Sequence, residues 1–200
     1  MITIIDYGMG NLRSVQKAFE FLGYEACISE DPEVISKASH VILPGVGAFE
    51  EAISRLKSSG MDQALLEAVH DERPVLGICL GMQLMFQHSE ENGYFDGLGL
   101  FPGTISPLPK KEGMKIPHMG WQSLKTRDCL LFRGNEDPDV YFVHSYAALQ
   151  VNDFTTATCD YGQVFTAACE RGRVCATQFH PEKSGEMGLR MLRRFAQMEV

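Results

Sequence analysis

Residues 74–81 of this chain read PVLGICLG, a short apolar run that leads into a cysteine with a glycine two residues away on either side. The run from Val75 to Ile78 predicts a buried strand, and the apolar residues from Leu80 to Gln87 predict a helix directly after it. A strand that passes at once into a helix is typical of α/β folds. The stretch therefore predicts a parallel sheet with helices packed on it.

Upstream of this stretch, strand and helix patterns alternate. Asn11 is a plausible N-cap, and Asp31 followed by proline and an acidic residue predicts a second helix start. Two further helices are predicted near 48–58 and 61–72, and parallel pairing with right-handed crossovers follows from this order. The predicted strands before residue 74 are Ile2 to Ile5, Tyr24 to Ser29, and Val41 to Leu43.

Beyond residue 98 the pattern changes to strands joined by short turns, and a helix from Gly185 to Met198 ends the chain. We expect one domain over residues 1–200 with a three-layer α/β architecture. Its mostly parallel central sheet is flanked by helices, and additional antiparallel strands occupy the C-terminal half. The later strands are predicted at Phe101 to Leu108, Trp121 to Leu124, Val140 to Ala147, Thr155 to Cys159, Val164 to Cys169 and Arg173 to Gln178.

Composition restricts the class of protein. Of the 200 residues, 44% are hydrophobic and 22% are charged, which is ordinary for a globular enzyme and excludes a disordered chain. The formal net charge of −8 argues against a general affinity for nucleic acid or an anionic membrane. No apolar run approaches the length of a membrane span, and six scattered cysteines without C-x-x-C spacing favour free thiols in the cytoplasm.

The pentapeptide GICLG at residues 77–81 is the sulfur counterpart of the G-x-S-x-G nucleophile elbow. The tight turn between strand and helix requires small residues on both sides of the nucleophile, here Gly77 and Gly81. It would hold Cys79 above the sheet at a helix N-terminus, which favours a thiolate, and would point the Leu80 N–H at a developing oxyanion. The alternative is a buried structural cysteine on a glycine-flanked turn.

A cysteine nucleophile needs a base, and His180 and Glu182 follow the last predicted strand with Pro181 between them. The proline restricts the backbone, so the carboxylate is able to reach back and orient the imidazole. The glycines of PGVG at 44–47 would let backbone N–H groups face an oxyanion. The alternatives are a surface His-Glu pair and a phosphate loop, although neither a third glycine nor G-K-[ST] supports the loop.

Together, PGVG, GICLGMQ and QFHPE resemble the triad (class I) glutamine amidotransferases. The segments DYGMGNL at 6–12, PHMGW at 117–121 and YFVHSY at 141–146 further resemble the glutaminase subunits of imidazole glycerol phosphate synthases, over essentially the whole chain. The resemblance implies that Cys79 attacks the γ-carboxamide of L-glutamine, that His180 transfers protons and that Glu182 orients His180. It also implies that the oxyanion lies between Leu80 and the segment Gly45, Val46 and Gly47.

The resemblance implies further roles that residue patterns alone do not supply. Gln83, Ser145 and Tyr146 match positions that hold the α-amino and α-carboxylate groups of glutamine, although helix-face or core positions are the alternatives. The implied partner is a (β/α)8-barrel cyclase in a heterodimer, which uses the ammonia in histidine biosynthesis. No metal or cofactor is implied. The positions that match a partner-facing surface are Asn11, Met119, Trp121 and Lys183.

Two other functions remain open at this point. One keeps the fold but places the amidotransferase in anthranilate, purine or pyrimidine synthesis, against which the DYGMGNL and PHMGW segments argue. The other is a non-catalytic interaction or sensor protein that retains the fold, against which the complete set of Cys79, His180 and Glu182 argues.

Overall fold

The computed structural model describes residues 1–133 and 137–199. In these ranges the helices are α1 to α6, and a short 3-10 helix spans Pro181–Lys183. The helices span Leu12–Phe21, Pro32–Ser36, Phe49–Ser58, Met61–His70, Leu80–Leu84 and Gly185–Ala196. The strands β1 to β14 span Ile2–Ile5, Ala26–Ser29, His40–Gly45, Val75–Cys79, Phe86–Ser89, Phe95–Asp96, Phe101–Pro107, His118–Ser123, Lys125–Thr126, Asp139–His144, Tyr146–Ala148, Thr155–Asp160, Val164–Arg171 and Val174–Thr177.

Strand β4 has a parallel neighbour on each side in the parallel part of the sheet, whose order is β2-β1-β3-β4-β14. Gly45 at the end of β3 pairs with Cys79 at the end of β4, and Thr177 of β14 pairs with Ile78. The carboxyl ends of β3, β4 and β14 therefore meet at one edge. Open α/β sheets bind their ligands at this edge.

The C-terminal half extends the sheet with antiparallel strands, as predicted. Strand β13 pairs antiparallel with β14, β11 and β12, and β11 pairs with β7. Strand β14 itself runs parallel to β4, so the last strand of the chain is inserted beside the cysteine-bearing strand. A separate antiparallel ribbon is formed by β8 and β10.

The two faces of the parallel sheet have separate apolar cores, which produces the predicted three layers. Ile42 contributes to the core under α1 and α6, whereas Val41 and Leu43 contribute to the core under α2, α3 and α4. This alternation follows from the two-residue side-chain period of a strand. Within the described ranges, no helix is both long enough and apolar enough to cross a membrane.

Three local predictions need correction. The predicted helix from Leu80 to Gln87 ends at Leu84, because residues 86–89 pair with β6 and β7. The predicted strand Val140 to Ala147 is two strands in different sheets, separated by a bend at Ser145. Asn11 makes no side-chain cap bond, since its Oδ1 accepts a hydrogen bond from the Ser14 hydroxyl instead. In the first two, long-range pairing overrides the local apolar pattern.

Candidate active site

Cys79 lies at the end of β4 and immediately before α5, with φ +56° and ψ −110°. An L-residue rarely adopts such a positive φ, and it persists where the surrounding structure determines it. The flanking glycines show why this turn requires small residues. A Cβ on Gly77 would lie 2.8 Å from the Met85 sulfur, and one on Gly81 would collide with the carbonyl oxygen of Leu43.

The PGVG segment approaches Cys79 from the end of β3. A Cβ on Gly45 would lie 2.5 Å from the Tyr7 hydroxyl and 2.9 Å from the Leu80 Cβ, so only glycine fits this approach. The Tyr7 hydroxyl donates a hydrogen bond of 3.0 Å to the Pro44 carbonyl. Burial, and to a lesser degree the charge on Cys79, raise the pKa of Tyr7, which keeps it a neutral donor at this carbonyl.

His180 and Glu182 form a buried pair at the end of β14. Nδ1 of His180 lies 2.8 Å from Oε1 of Glu182, and the two side chains are 3% and 1% exposed. Burial by itself lowers the pKa of His180, but the neighbouring Cys79 and Glu182 outweigh burial and raise it to about 9. In the described part of the chain, Nε2 of His180 makes no hydrogen bond. Because Nδ1 faces the carboxylate, Nε2 remains available to a reacting group.

A cavity of about 340 Å³ opens at this edge of the sheet. Its volume suits a small molecule. Gly45 and Glu182 do not line it, since Gly45 packs against Tyr7 and Glu182 lies behind His180. The predicted site residues that do line it are Val46, Gly47, Cys79, Leu80, Gln83, Ser145, Tyr146 and His180.

Other residues line the cavity without having been assigned to the site from the sequence. Glu91 is one of them, and its Oε2 accepts a hydrogen bond of 2.8 Å from the backbone N–H of Phe49, the first residue of α3. His144 is another, and its pKa falls to about 3, chiefly because it is buried. No motif marks Glu91, because only folding brings residue 91 beside the start of α3. For His144, the sequence did offer a signal, which was its position in the YFVHSY segment.

The predicted partner-facing residues lie on β8, on the 3-10 helix and directly before α1. Met119 and Trp121 lie on β8 and are 62% and 56% exposed. Lys183 is exposed at the end of the 3-10 helix, which contacts both α1 and β10. Trp121 packs edge-on against Tyr141, and Asn11 is half-buried just before α1.

The profile of the family described as "Glutamine amidotransferase class-I" matches residues 3–198. The chain belongs to this family. The similarity to curated relatives is close. A protein named "Imidazole glycerol phosphate synthase subunit HisH" from Syntrophotalea carbinolica is 48% identical over 99% of this chain and 100% of its own length. A protein of the same name from Methanothermobacter thermautotrophicus is 47% identical over 99% and 98% of the two chains.

Two further comparisons concern chain organisation and fold. This amidotransferase is 44% identical to "Imidazole glycerol phosphate synthase hisHF, chloroplastic" from Arabidopsis thaliana, over 98% of this chain but 34% of that longer protein. A solved structure titled "Crystal structure of glutamine amidotransferase" superposes with a TM-score of 0.77 at 17% identity, covering 98% of both chains. That likeness confirms the predicted fold class.

Proposed function

We propose that this amidotransferase is the glutaminase subunit of imidazole glycerol phosphate synthase in histidine biosynthesis. In this role it hydrolyses L-glutamine to glutamate and ammonia with Cys79, His180 and Glu182 as catalytic residues. The observation that carries the proposal is the cavity that holds the strained Cys79 together with His180, whose imidazole is paired with the buried Glu182. Close relatives that carry the HisH name support the pathway.

In the proposed mechanism, Nε2 of His180 takes up the proton of the Cys79 thiol, the thiolate attacks the γ-carboxamide carbon, and the carbonyl π electrons move to the oxygen. His180 then gives its Nε2 proton to the departing nitrogen, which leaves as ammonia and leaves a γ-glutamyl thioester. Water attacks the thioester while His180 takes up one of its protons, and the Cys79 sulfur departs as glutamate is released. Glu182 accepts the Nδ1 proton in a hydrogen bond and keeps Nε2 directed at the reaction.

The oxyanion of each tetrahedral intermediate requires N–H donors. The N–H of Leu80, the first residue of α5, follows the nucleophile directly, and the segment Gly45, Val46 and Gly47 faces it from β3. Donors from these two separate segments would hold the oxygen on both sides. Such backbone donors need little reorganisation during the reaction.

Recognition of the amino-acid end of glutamine follows from charge. The Glu91 carboxylate lines the cavity and would pair with the α-ammonium group. Gln83 uses Nε2 to donate to the Tyr146 carbonyl and to the Gln178 side chain, both at 3.0 Å, so its Oε1 remains as an acceptor for the same ammonium. Ser145 and Tyr146 line the same cavity and would hold the α-carboxylate.

A partner follows from the chemistry of the product. Ammonia in neutral water is largely converted to ammonium, which is not a nucleophile, so the ammonia must pass directly to a second site. We propose a (β/α)8-barrel cyclase as that partner, in a cytoplasmic heterodimer. The joined name hisHF of the longer plant relative supports a physical association of the two activities. The proposed contact residues are Asn11, Met119, Trp121 and Lys183.

The test is glutamate release from glutamine by the full chain, alone and with the barrel cyclase and its nucleotide ligand, beside Cys79→Ala. We expect slow release alone, marked stimulation by the cyclase and none in the variant. Cys79→Ala should still bind the cyclase and leave its ammonia-dependent synthesis intact. Stimulated release that survives in Cys79→Ala would contradict the nucleophile. Release that ignores the cyclase would contradict the partner.

A further inference from the structure

The backbone carbonyl of Tyr146 accepts two side-chain hydrogen bonds beside the cavity. Nε2 of Gln83 lies 3.0 Å from this oxygen, and Nδ1 of His144 lies 2.8 Å from it. A carbonyl oxygen only accepts hydrogen bonds, so both nitrogens must carry a proton. This single backbone atom therefore determines the orientation of the Gln83 amide and the tautomer of His144.

These assignments extend to Gln178. The second proton on Gln83 Nε2 points to Oε1 of Gln178 at 3.0 Å, which makes that oxygen the acceptor. The other end of the Gln178 amide is then its NH2 group, and Nε2 lies 3.8 Å from the sulfur of Cys79. Gln178 is fully buried and lies directly after β14. A donor is thus held facing the sulfur, and the amide cannot turn over without losing its bond to Gln83.

The far end of the network is a pair of neutral histidines. Because Nδ1 of His144 is protonated, its Nε2 is an acceptor, and Nδ1 of His118 donates to it over 3.0 Å. Burial lowers the pKa of His118 to about 4. Burial, with smaller contributions from His118 and His180, lowers the pKa of His144 to about 3. Both rings therefore stay uncharged at neutral pH and hold the Tyr146 carbonyl in place.

We propose that Gln178 is a further catalytic residue, whose side-chain N–H stabilises the thiolate of Cys79 by hydrogen bonding. The inference rests on the proposed function, since it deepens the role of the Cys79 nucleophile. The sulfur also lies 3.9 Å from the carbonyl oxygen of Val143, a contact that suits the neutral thiol as donor. When the proton leaves, that contact loses its donor, and the contact with Gln178 gains strength because hydrogen bonds to a charged acceptor are the stronger ones.

Other titratable groups surround Cys79. Tyr7 approaches from the turn after β1, His144 from β10, and His180 from the segment after β14 with Glu182 behind it. None of these groups is altered when Gln178 is substituted. Gln178→Met also removes the acceptor for Gln83, whereas Gln178→Glu retains an oxygen acceptor for it. A change in the reactivity of Cys79 that both variants share therefore reports the loss of the donor at the sulfur.

The experiment follows iodoacetamide alkylation of Cys79 in the full chain as pH rises, read by mass spectrometry of the Cys79 peptide because Cys27 and Cys129 are also partly accessible. Gln178→Met removes the donor at similar size, and Gln178→Glu places an acceptor beside the sulfur. Gln163→Glu adds the same charge at an exposed position and is the control. Melting temperatures establish that each variant is folded.

We expect the midpoint of the alkylation profile to rise by about 1 pH unit in Gln178→Met and by more in Gln178→Glu, with no change in the control. Unchanged midpoints in both folded variants would overturn the proposal. Loss of the fold in both would overturn it too, by making Gln178 a structural residue. Since alkylation needs neither glutamine nor the cyclase, this result is independent of the glutamate-release test.

Discussion

The backbone of Cys79 is strained, and this conformation places its side chain at the cavity. A positive φ at a non-glycine residue costs about 1–3 kcal/mol, and here strand β4 on one side and α5 on the other impose it. As a result, the Cys79 side chain lines the cavity instead of being enclosed within the sheet. Gly77 and Gly81 make this possible because neither position has room for a Cβ.

His180 makes stability depend on pH at the same scale. Its pKa of about 9 in the folded protein lies above the value of about 6.5 expected when unfolded, so the imidazolium form stabilises the fold. This contribution is complete below about pH 6.5 and is lost as pH rises through about 9. In Glu182→Gln, the charge of Glu182 no longer raises the pKa of His180 against the effect of burial. The pKa therefore falls, and the contribution of the imidazolium to stability becomes smaller.

Urea unfolding across this pH range measures the effect. The loss of unfolding free energy in Glu182→Gln should be largest below about pH 6.5 and should diminish as the pH rises through about 9, the pKa of the wild-type imidazole. Glu186→Gln removes a carboxylate from an exposed pair with Arg190 and serves as the control. A difference between wild type and Glu182→Gln that stays constant with pH would contradict the prediction.

At the scale of elements, the turn between β4 and α5 depends on close approach to β3. In Gly81→Ala, the new methyl group meets the Leu43 carbonyl, and we expect a loss of about 3 kcal/mol in unfolding free energy. Gly23→Ala is the comparison, because no atom lies near its Cβ and only its φ of +84° opposes the change, at about 1 kcal/mol. If urea unfolding gave the same loss of unfolding free energy for Gly81→Ala and Gly23→Ala, close packing at Gly81 would not be the cause of its loss.

The start of α3 is joined to the cavity wall through Glu91. Glu91→Gln retains an acceptor for the Phe49 N–H but removes the charge offered to the α-ammonium of glutamine. We therefore expect KM for glutamine to rise about tenfold, with kcat and unfolding free energy little changed. The matched control is Glu90→Gln at the exposed neighbouring position. Steady-state kinetics with a normal KM in Glu91→Gln would remove Glu91 from substrate binding.

For the whole molecule, Trp121 offers a direct measure of assembly. It is the single tryptophan in the chain and is 56% exposed, so a docked cyclase should shift its fluorescence emission to shorter wavelength. Trp121→Ala should weaken association about tenfold or more, as expected for an aromatic anchor. Trp121→Phe removes the single tryptophan of this chain, so the emission that remains in the titration is the background from the cyclase.

A second exposed aromatic residue serves as the control for position. Phe21 is 78% exposed at the opposite end of α1, away from the carboxyl edge of the sheet. Phe21→Ala should leave the association unchanged in the same titration. Equal weakening by Trp121→Ala and Phe21→Ala would contradict the proposed surface.

Sequence patterns over a few residues determined much of this protein. The apolar run of β4, the glycines around Cys79 and the Pro181 between His180 and Glu182 predicted the layered fold and the short pieces of the site, because these features act through neighbouring backbone geometry. The helix predicted to Gln87 was wrong, since pairing with β6 and β7 is a long-range contact that an apolar pattern does not specify.

Only the tertiary structure decided which of these pieces meet. Strand β14 enters the sheet beside β4, and this pairing brings His180 to the edge that carries Cys79. The bend at Ser145 turns the chain from the ribbon into the main sheet and places the Tyr146 carbonyl against Gln83. Glu91 lines the cavity and Gln178 contacts Cys79 for the same reason. Contacts between residues distant in sequence depend on sheet order and burial, which no local pattern encodes.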